Sequence, residues 1–202
     1  MSVFASLLVN AVVAATPVTP LPWYTFNDYP MKAFERDWQG IATFAVTVAP
    51  DGRPAECTII ASTGHDQLDR QTCWVAMKRT QFTPAHGPDG QAAYGVYRSQ
   101  VIWTRPDRPT LQGDPGPDLD VTVADLPAGT KPPNVVKIAY YVDVAGNASS
   151  CTPLPESQQQ PAPLIQAACD QLLRKLGKGP VATNGSAVPA VKTAAIRFNV
   201  AK

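Results

Sequence analysis

The chain has 202 residues, 45% of them hydrophobic and 16% charged, with a formal net charge of +1. That length fits one or two domains with cores of their own, and the near-neutral balance without aromatic-interleaved basic runs excludes a nucleic-acid surface. Charge is unevenly spread, with 8 basic and 8 acidic residues in 1–105, 1 and 5 in 106–130, and 8 and 3 in 131–202, so the middle is acidic and the last third basic. The plain reading is a solvated face, and the functional one an electrostatic contact of the last third with the linker, an acidic partner or a membrane surface.

Residues 3–15 form an apolar run of about thirteen, short of the ~18 to 20 that a membrane span needs. Val13-Ala14-Ala15 before Thr16 resembles a signal-peptidase site, although no Lys or Arg precedes the run. Residues 1–15 are therefore expected to be a signal peptide or short N-terminal anchor, with a buried helix as the alternative. A short helix is expected over 30–37, with Pro30 in its first turn. Ala42, Phe44, Val46 and Val48 then alternate with Thr43, Ala45 and Thr47, the period of a half-buried strand. Pro50-Asp51-Gly52 turns the chain, and Ala55, Cys57, Ile59 and Ala61 share one face of a second strand, which makes an antiparallel hairpin. Asp66 is the expected cap of a helix carrying Leu68, Thr72, Val75, Ala76 and Arg79 at helical spacing. Phe82 and Pro84 end it. After Asp89-Gly90 a longer strand is expected over 94–103, with Tyr94, Val96, Arg98, Gln100 and Ile102 on one face.

This pattern returns, degraded, in the last third. Gly52 and Gly146 are each followed five residues later by a cysteine, Cys57 and Cys151; Leu68 and Leu164 by another, Cys73 and Cys169. Eleven residues after those come Pro84 and Pro180, and then Asp89-Gly90 and Asn184-Gly185. Spacing kept over such a distance points to two copies of one module, at 28–105 and 131–202, joined by a Pro-rich acidic linker at 106–130.

Given export, one disulfide per module is expected, Cys57 with Cys73 and Cys151 with Cys169. The rivals are a redox pair, or a zinc site from Cys57, Cys73, His65 and His86. Neither has CxxC spacing, and the second module has no histidine. No cofactor, metal or general-base constellation is expected, and hence no enzyme.

Tyr29-Pro30 with Ala33, Gly40 opening a strand, Pro50-Asp51-Gly52, Ser62-Thr63-Gly64 before Leu68-Asp69, and Phe82-Thr83-Pro84-Ala85 before Asp89-Gly90 together resemble the C-terminal domain of TonB, the periplasmic energy transducer. The resemblance covers about residues 28–104. The second module keeps the glycine, cysteines, helix and Pro180, but Lys178 stands where Phe82 stands and no Tyr-Pro opens it. The resemblance implies an α+β fold of two tandem TonB-C-like modules, each a three-stranded antiparallel sheet with helices packed on one face. It also implies a non-enzymatic role: capture of TonB-box peptides of outer-membrane TonB-dependent transporters, or of another TonB-like domain, with a homodimer as a further form. Capture would proceed by strand addition, in which a peptide completes the ladder of an edge strand. The implied contact residues are Tyr29, Pro30, Tyr94, Val96, Arg98, Gln100 and Ile102; the plain reading of the same strand is an edge blunted by Arg98 and covered by the second module or by the linker. The expected location is the Gram-negative periplasm, with membrane contact only through an uncleaved 1–15. The alternatives are an envelope-interaction module that keeps the fold without binding transporters and, from another class, a metal or redox enzyme. Compared with a full TonB, the long periplasm-spanning arm and an N-terminal span of full length are missing from this pattern, which puts force transmission in doubt.

Overall fold

The computed structural model describes residues 11–18, 23–109, 111–114, 116–175 and 179–201. In chain order the elements are β1 (Thr16–Pro17), α1 (Met31–Glu35), β2 (Gly40–Val48), β3 (Pro54–Ala61), α2 (Asp66–Arg79), β4 (Phe82–Thr83), β5 (Ala85–His86), β6 (Ala92–Trp103), β7 (Leu119–Val123), β8 (Val135–Val142), β9 (Ala148–Pro153), α3 (Ala162–Lys175), β10 (Val181–Thr183), β11 (Ser186–Val188) and β12 (Ala190–Val200). The architecture is α+β. Two hairpin strands, a 14-residue helix, two short strands and one long strand occur in that order in each half.

The hairpin of β2 and β3 follows from the alternation in its sequence. Ala42, Phe44, Val46 and Val48 are all fully buried, and Val46 lies opposite Cys57. Gly52 sits at φ +82°, and a side chain there would meet the Phe82 carbonyl oxygen at 2.2 Å. The Phe82 amide in turn donates to the Gly52 carbonyl at 3.0 Å. Only glycine combines the left-handed backbone with that approach. Gly146, at φ +84°, repeats the arrangement, its carbonyl accepting from the Gly179 amide at 3.1 Å. Lys178 lies outside the described residues.

Entry into α2 is organised by Asp69 rather than by Asp66. Asp69 accepts from the Thr63 amide and hydroxyl, each at 2.9 Å, and from the Ser62 hydroxyl at 2.5 Å, tying the strand end to the first helical turn. His65 takes the cap position in an extended conformation, and Asp66 is the first helical residue. Pro30 likewise caps α1 instead of lying inside it. Each helix is stapled to its hairpin, Cys57 to Cys73 with Cα atoms 5.5 Å apart and Cys151 to Cys169 at 5.8 Å. With both cysteines of the first half oxidised, the thiolate ligands required for the alternative zinc site are absent. His65 stacks on Trp38, ring centroids 4.8 Å apart, and His86 exchanges two 3.0 Å backbone bonds with Val13.

The halves do not stand apart. Their strands form one continuous path, β3-β2-β6-β12-β8-β9, in which β6 and β12 pair in parallel through Tyr94 with Ala190 and Gly95 with Val191. Register then fixes where the helices lie. Paired residues share a face, so Gly95, Val191 and the odd-numbered residues of β6 face the α2 side, whereas Ala194, Ile196 and Phe198 face the α3 side. The two cores agree with this assignment. Val101, Trp103, Ala139 and Val191 pack with Leu68 and Val75 of α2; Ile138, Tyr140, Ile196 and Phe198 pack with Leu164 and Leu172 of α3. Within each half the helix covers one face, but across the molecule the two helices cover opposite faces.

Two segments read differently from the sequence. Inside 106–130, β7 pairs in parallel with β12, Leu119 opposite Ile196 through Val123 opposite Val200. At the N-terminus Val12, Ala14 and Ala15 are buried in the α2-side core, and β1 pairs with β4. A cut after Ala15 would remove three core side chains and the Val12 amide bond to the Thr152 hydroxyl, 3.1 Å long. Residues 1–10 of the apolar run lie outside the described residues. Among the described residues no helix is long and apolar enough to cross a membrane.

One ion pair locks the approach to α1. Asp28 is buried and receives Arg79 through two bonds of 2.7 and 2.6 Å, as well as the Thr25 amide at 2.7 Å. Burial pushes the Asp28 carboxyl up, but the Arg79 and Thr25 bonds outweigh it and hold the carboxyl below its ordinary value of 3.8. The folded form is thus the weaker proton binder. Its stabilising contribution is complete above the unfolded pKa and is lost as pH falls through the lowered folded one. Asp28→Asn is expected to cost about 1–2 kcal/mol at neutral pH, a charged hydrogen bond discounted for the exposure of Arg79. It is also expected to flatten the loss of stability below pH ~4. Urea unfolding across pH 2–7 checks both.

Candidate partner-binding site

The residues expected to bind a partner gather along β6 and at its two ends. One side of β6 is fully engaged by β2, from Gly95 opposite Val48 to Trp103 opposite Gly40. The other side pairs with β5 at Ala92 and Ala93 and with β12 at Tyr94 and Gly95. Beyond Gly95, among the described residues, no strand pairs with that side, which leaves 96–103 as an open edge of eight residues. Tyr94 therefore lies at the seam with β12 instead of on the open edge, because β12 takes up the backbone there.

Tyr29 is brought to the opposite end. Its ring meets Trp103 edge-on at a centroid distance of 5.5 Å, and its hydroxyl donates to the Trp38 carbonyl. Burial raises the Tyr29 pKa, the nearby Asp37 charge adds to that, and Arg105 opposes it. Trp103 is anchored from below, its indole N–H donating to the Thr72 hydroxyl at 2.8 Å while Thr72 donates to the Leu68 carbonyl at 2.9 Å. Tyr24, Phe26, Tyr29, Ile102, Trp103 and Arg105 line a cavity of about 290 Å³ at this end. Pro30 caps α1 beside it, and the structure shows no role for it at the β6 edge.

The open edge faces a gap. After Gly95, β6 diverges from β12, and β12 next finds a partner on that side only at Ile196, where β7 begins. A cavity of about 660 Å³ opens on one face of the gap and one of about 340 Å³ on the other. Both are lined by Val96, Arg98, Asp118, Thr193 and Ala194, so the opening runs between the strands. The segment preceding β7 crosses this gap. Asp118 forms an ion pair with Arg98, its amide donates to the Ala195 carbonyl at 2.8 Å, and its carboxylate accepts from the Ala195 amide at 2.8 Å. Tyr140 stands close by; burial first, then the Asp118 charge, push its hydroxyl up to about 12, against the pull of Arg98, so it stays protonated at neutral pH. Gln100 donates to the Thr43 hydroxyl at 3.0 Å. The backbone at Gly113 closes over Ile41 and Gln100, since a side chain there would meet Ile41 at 2.6 Å and Gln100 at 3.3 Å.

Arg98, Val96, Gln100 and Ile102 are thus on one strand and Tyr29 at its end, as a strand-addition edge requires, but the edge is partly occupied. Sequence reasoning missed Asp118, Tyr140 and Lys192, the last of which lines the smaller cavity. The period-two run Leu119-Asp120-Val121-Thr122-Val123 was the available signal for Asp118, since it marks a strand at that point.

Residues 27–103 match the family described as Gram-negative bacterial TonB protein, C-terminal. Protein TonB2 of Pseudomonas aeruginosa is 37% identical over 62 residues, a match that covers 31% of this chain and 23% of that protein. The chain therefore spans under a quarter of the length of this curated relative. No solved structure matches. The matched region holds the β2-β3 hairpin, α2 and β6, together with Gly52, Asp69 and Phe82, whose contacts account for much of the motif. Residues 27–103 therefore resemble the TonB C-terminal domain family, a match over less than half of the chain.

Proposed function

We propose that this protein is a TonB-like protein-binding protein of the Gram-negative envelope. In this reading it takes part in TonB-dependent transport across the outer membrane by capturing extended transporter segments through strand addition on β6. The observation that carries the reading is the open edge at 96–103 within a region that resembles the TonB C-terminal domain family. An unpaired strand edge presents alternating N–H and C=O groups that an extended peptide satisfies, while the side chains beside it select the peptide. Val96, Arg98, Gln100 and Ile102 supply those contacts, and Tyr29 borders the far end. The two disulfides support an oxidising location, the periplasm. The recurrence of hairpin, stapled helix and long strand supports reading the second half as a diverged copy of the module.

Calorimetric titration with the plug-end segments of the TonB-dependent transporters encoded in the same genome tests the proposal. Saturable one-to-one binding of at least one segment is expected. The absence of binding by any of them would overturn it. A second reading has its own observation: β12 takes up the β6 backbone at Tyr94 and Gly95 and Asp118 engages the Arg98 side chain beside the open edge, which favours an envelope-interaction module that has kept the fold but lost transporter binding. Failure of every transporter segment to bind, with binding of peptidoglycan or of an envelope protein outside the TonB system, would favour that alternative.

A further inference from the structure

We propose that the gap between β6 and β12 is a slot for an extended peptide segment bearing a carboxylate, and that Asp118 is its built-in occupant. The inference rests on the capture reading above and adds to it the chemistry of the captured residue and a competitor within the chain. The carrying observation is what Asp118 does. Its amide donates to a β12 carbonyl, its carboxylate accepts from a β12 amide, and the same carboxylate pairs with Arg98 of β6. A single residue thus offers the slot both the main-chain contact of an added strand and an anion for the guanidinium.

The surroundings suit a carboxylate from elsewhere equally well. Besides Arg98, Lys137 lines the larger cavity and Lys192 the smaller. Lys137 and the other acid there, Glu156, pair with each other at 3.6 Å and cancel, which leaves Arg98 to meet an anion in the larger cavity. Arg98 and Asp118 keep 34% and 25% of their side-chain surface exposed, so the pair is accessible and exchangeable. Asp118 sits at the end of the crossing segment, whereas β7 remains held to β12 through five paired residues. Release therefore requires Asp118 to leave Ala195 and Arg98 while residues 119–123 keep their pairing with β12.

A tethered occupant lowers apparent affinity by the fraction of molecules in which the slot is closed. A partly exposed ion pair is worth up to ~1 kcal/mol, so removing its charge is expected to tighten binding of an acidic segment about five-fold. The test titrates wild type, Asp118→Asn and Arg98→Gln with those same plug-end transporter segments and with twins in which each Glu or Asp is replaced by its amide. Wild type is expected to prefer the acid over its amide twin. Asp118→Asn, which keeps an oxygen for the Ala195 amide, is expected to bind the acidic form about five-fold tighter. Arg98→Gln is expected to lose the preference. If segments bind wild type without distinguishing acid from amide, or bind Asp118→Asn no more tightly, the inference is overturned while the capture reading stands. If no segment binds any of the three proteins, the capture reading itself fails.

Discussion

Trp103→Ala is expected to cost about 3–5 kcal/mol, the range for truncating a fully packed tryptophan. Trp103 is only 2% exposed. Its ring carries Tyr29 at 5.5 Å and Tyr24 at 5.9 Å, and its N–H is received by Thr72 within the α2-side core. The lost ring leaves a cavity that Tyr29 and Thr72 cannot fill without giving up their bonds to the Trp38 and Leu68 carbonyls. For a chain of this size the fall in melting temperature is expected to be roughly 10 °C. Trp103→Phe separates the two contributions: most of the packing is retained while the Thr72 hydroxyl loses its donor, for a cost of about 1 kcal/mol or slightly more. Urea midpoints of the three proteins read both numbers. An alanine variant within 1 kcal/mol of wild type would contradict the packing described at this end of β6.

The second large effect belongs to the staples. Opening the Cys57–Cys73 bridge in a Cys57→Ala/Cys73→Ala variant frees a loop with a sequence separation of 16, and the chain-entropy argument gives a loss of about 3 kcal/mol. The same reasoning applies to Cys151–Cys169, with a separation of 18. Neither half has a large core, so two losses of this size together rival the net stability of a small domain. Full reduction is therefore expected to unfold the chain at moderate urea, where the oxidised protein stays folded. Equal midpoints with and without reductant would show that the bridges do not hold the helices to their hairpins.

What could be read from the sequence divides along a physical line. The β2-β3 hairpin, α2 and β6 were legible because their signals are local: period-two alternation at 42–48, a turn that needs Gly52, and apolar residues at helical spacing from Leu68. The cysteine pairs follow from the same reasoning, since a strand and the helix that covers it bring Cys57 to Cys73. The joining of β6 to β12 was not legible. It depends on Gly95 meeting Val191, almost a hundred residues away, through only two paired positions, and no local pattern encodes which edges meet. The acidic middle segment was read from its prolines, and this masked the alternation of Leu119, Val121 and Val123 that places β7 on β12. The N-terminal run was read from its apolarity, which a leader and a buried strand share. The bridge of Val13 to His86, the pairing of β1 with β4 and the burial of Val12, Ala14 and Ala15 show how 12–17 are used in the fold.

For the site, the strand and its exposed face were legible, and the identity of what covers it was not. Cover of the edge by the linker or the second module was one of the readings, but which residue would do it was not legible, because nothing local to Arg98 predicts that Asp118 will pair with it. Tyr29 was expected near the binding edge and lies at its far end, held by Trp103.

The most direct test of the account is an amide NMR titration of the oxidised chain with the plug-end transporter segments. The account predicts shifts concentrated at 96–103 and near Tyr29, together with shifts at Asp118 and Ala195 as the crossing segment is displaced. Shifts confined to the outer strands β3 and β9, with β6 and Asp118 unmoved, would contradict it.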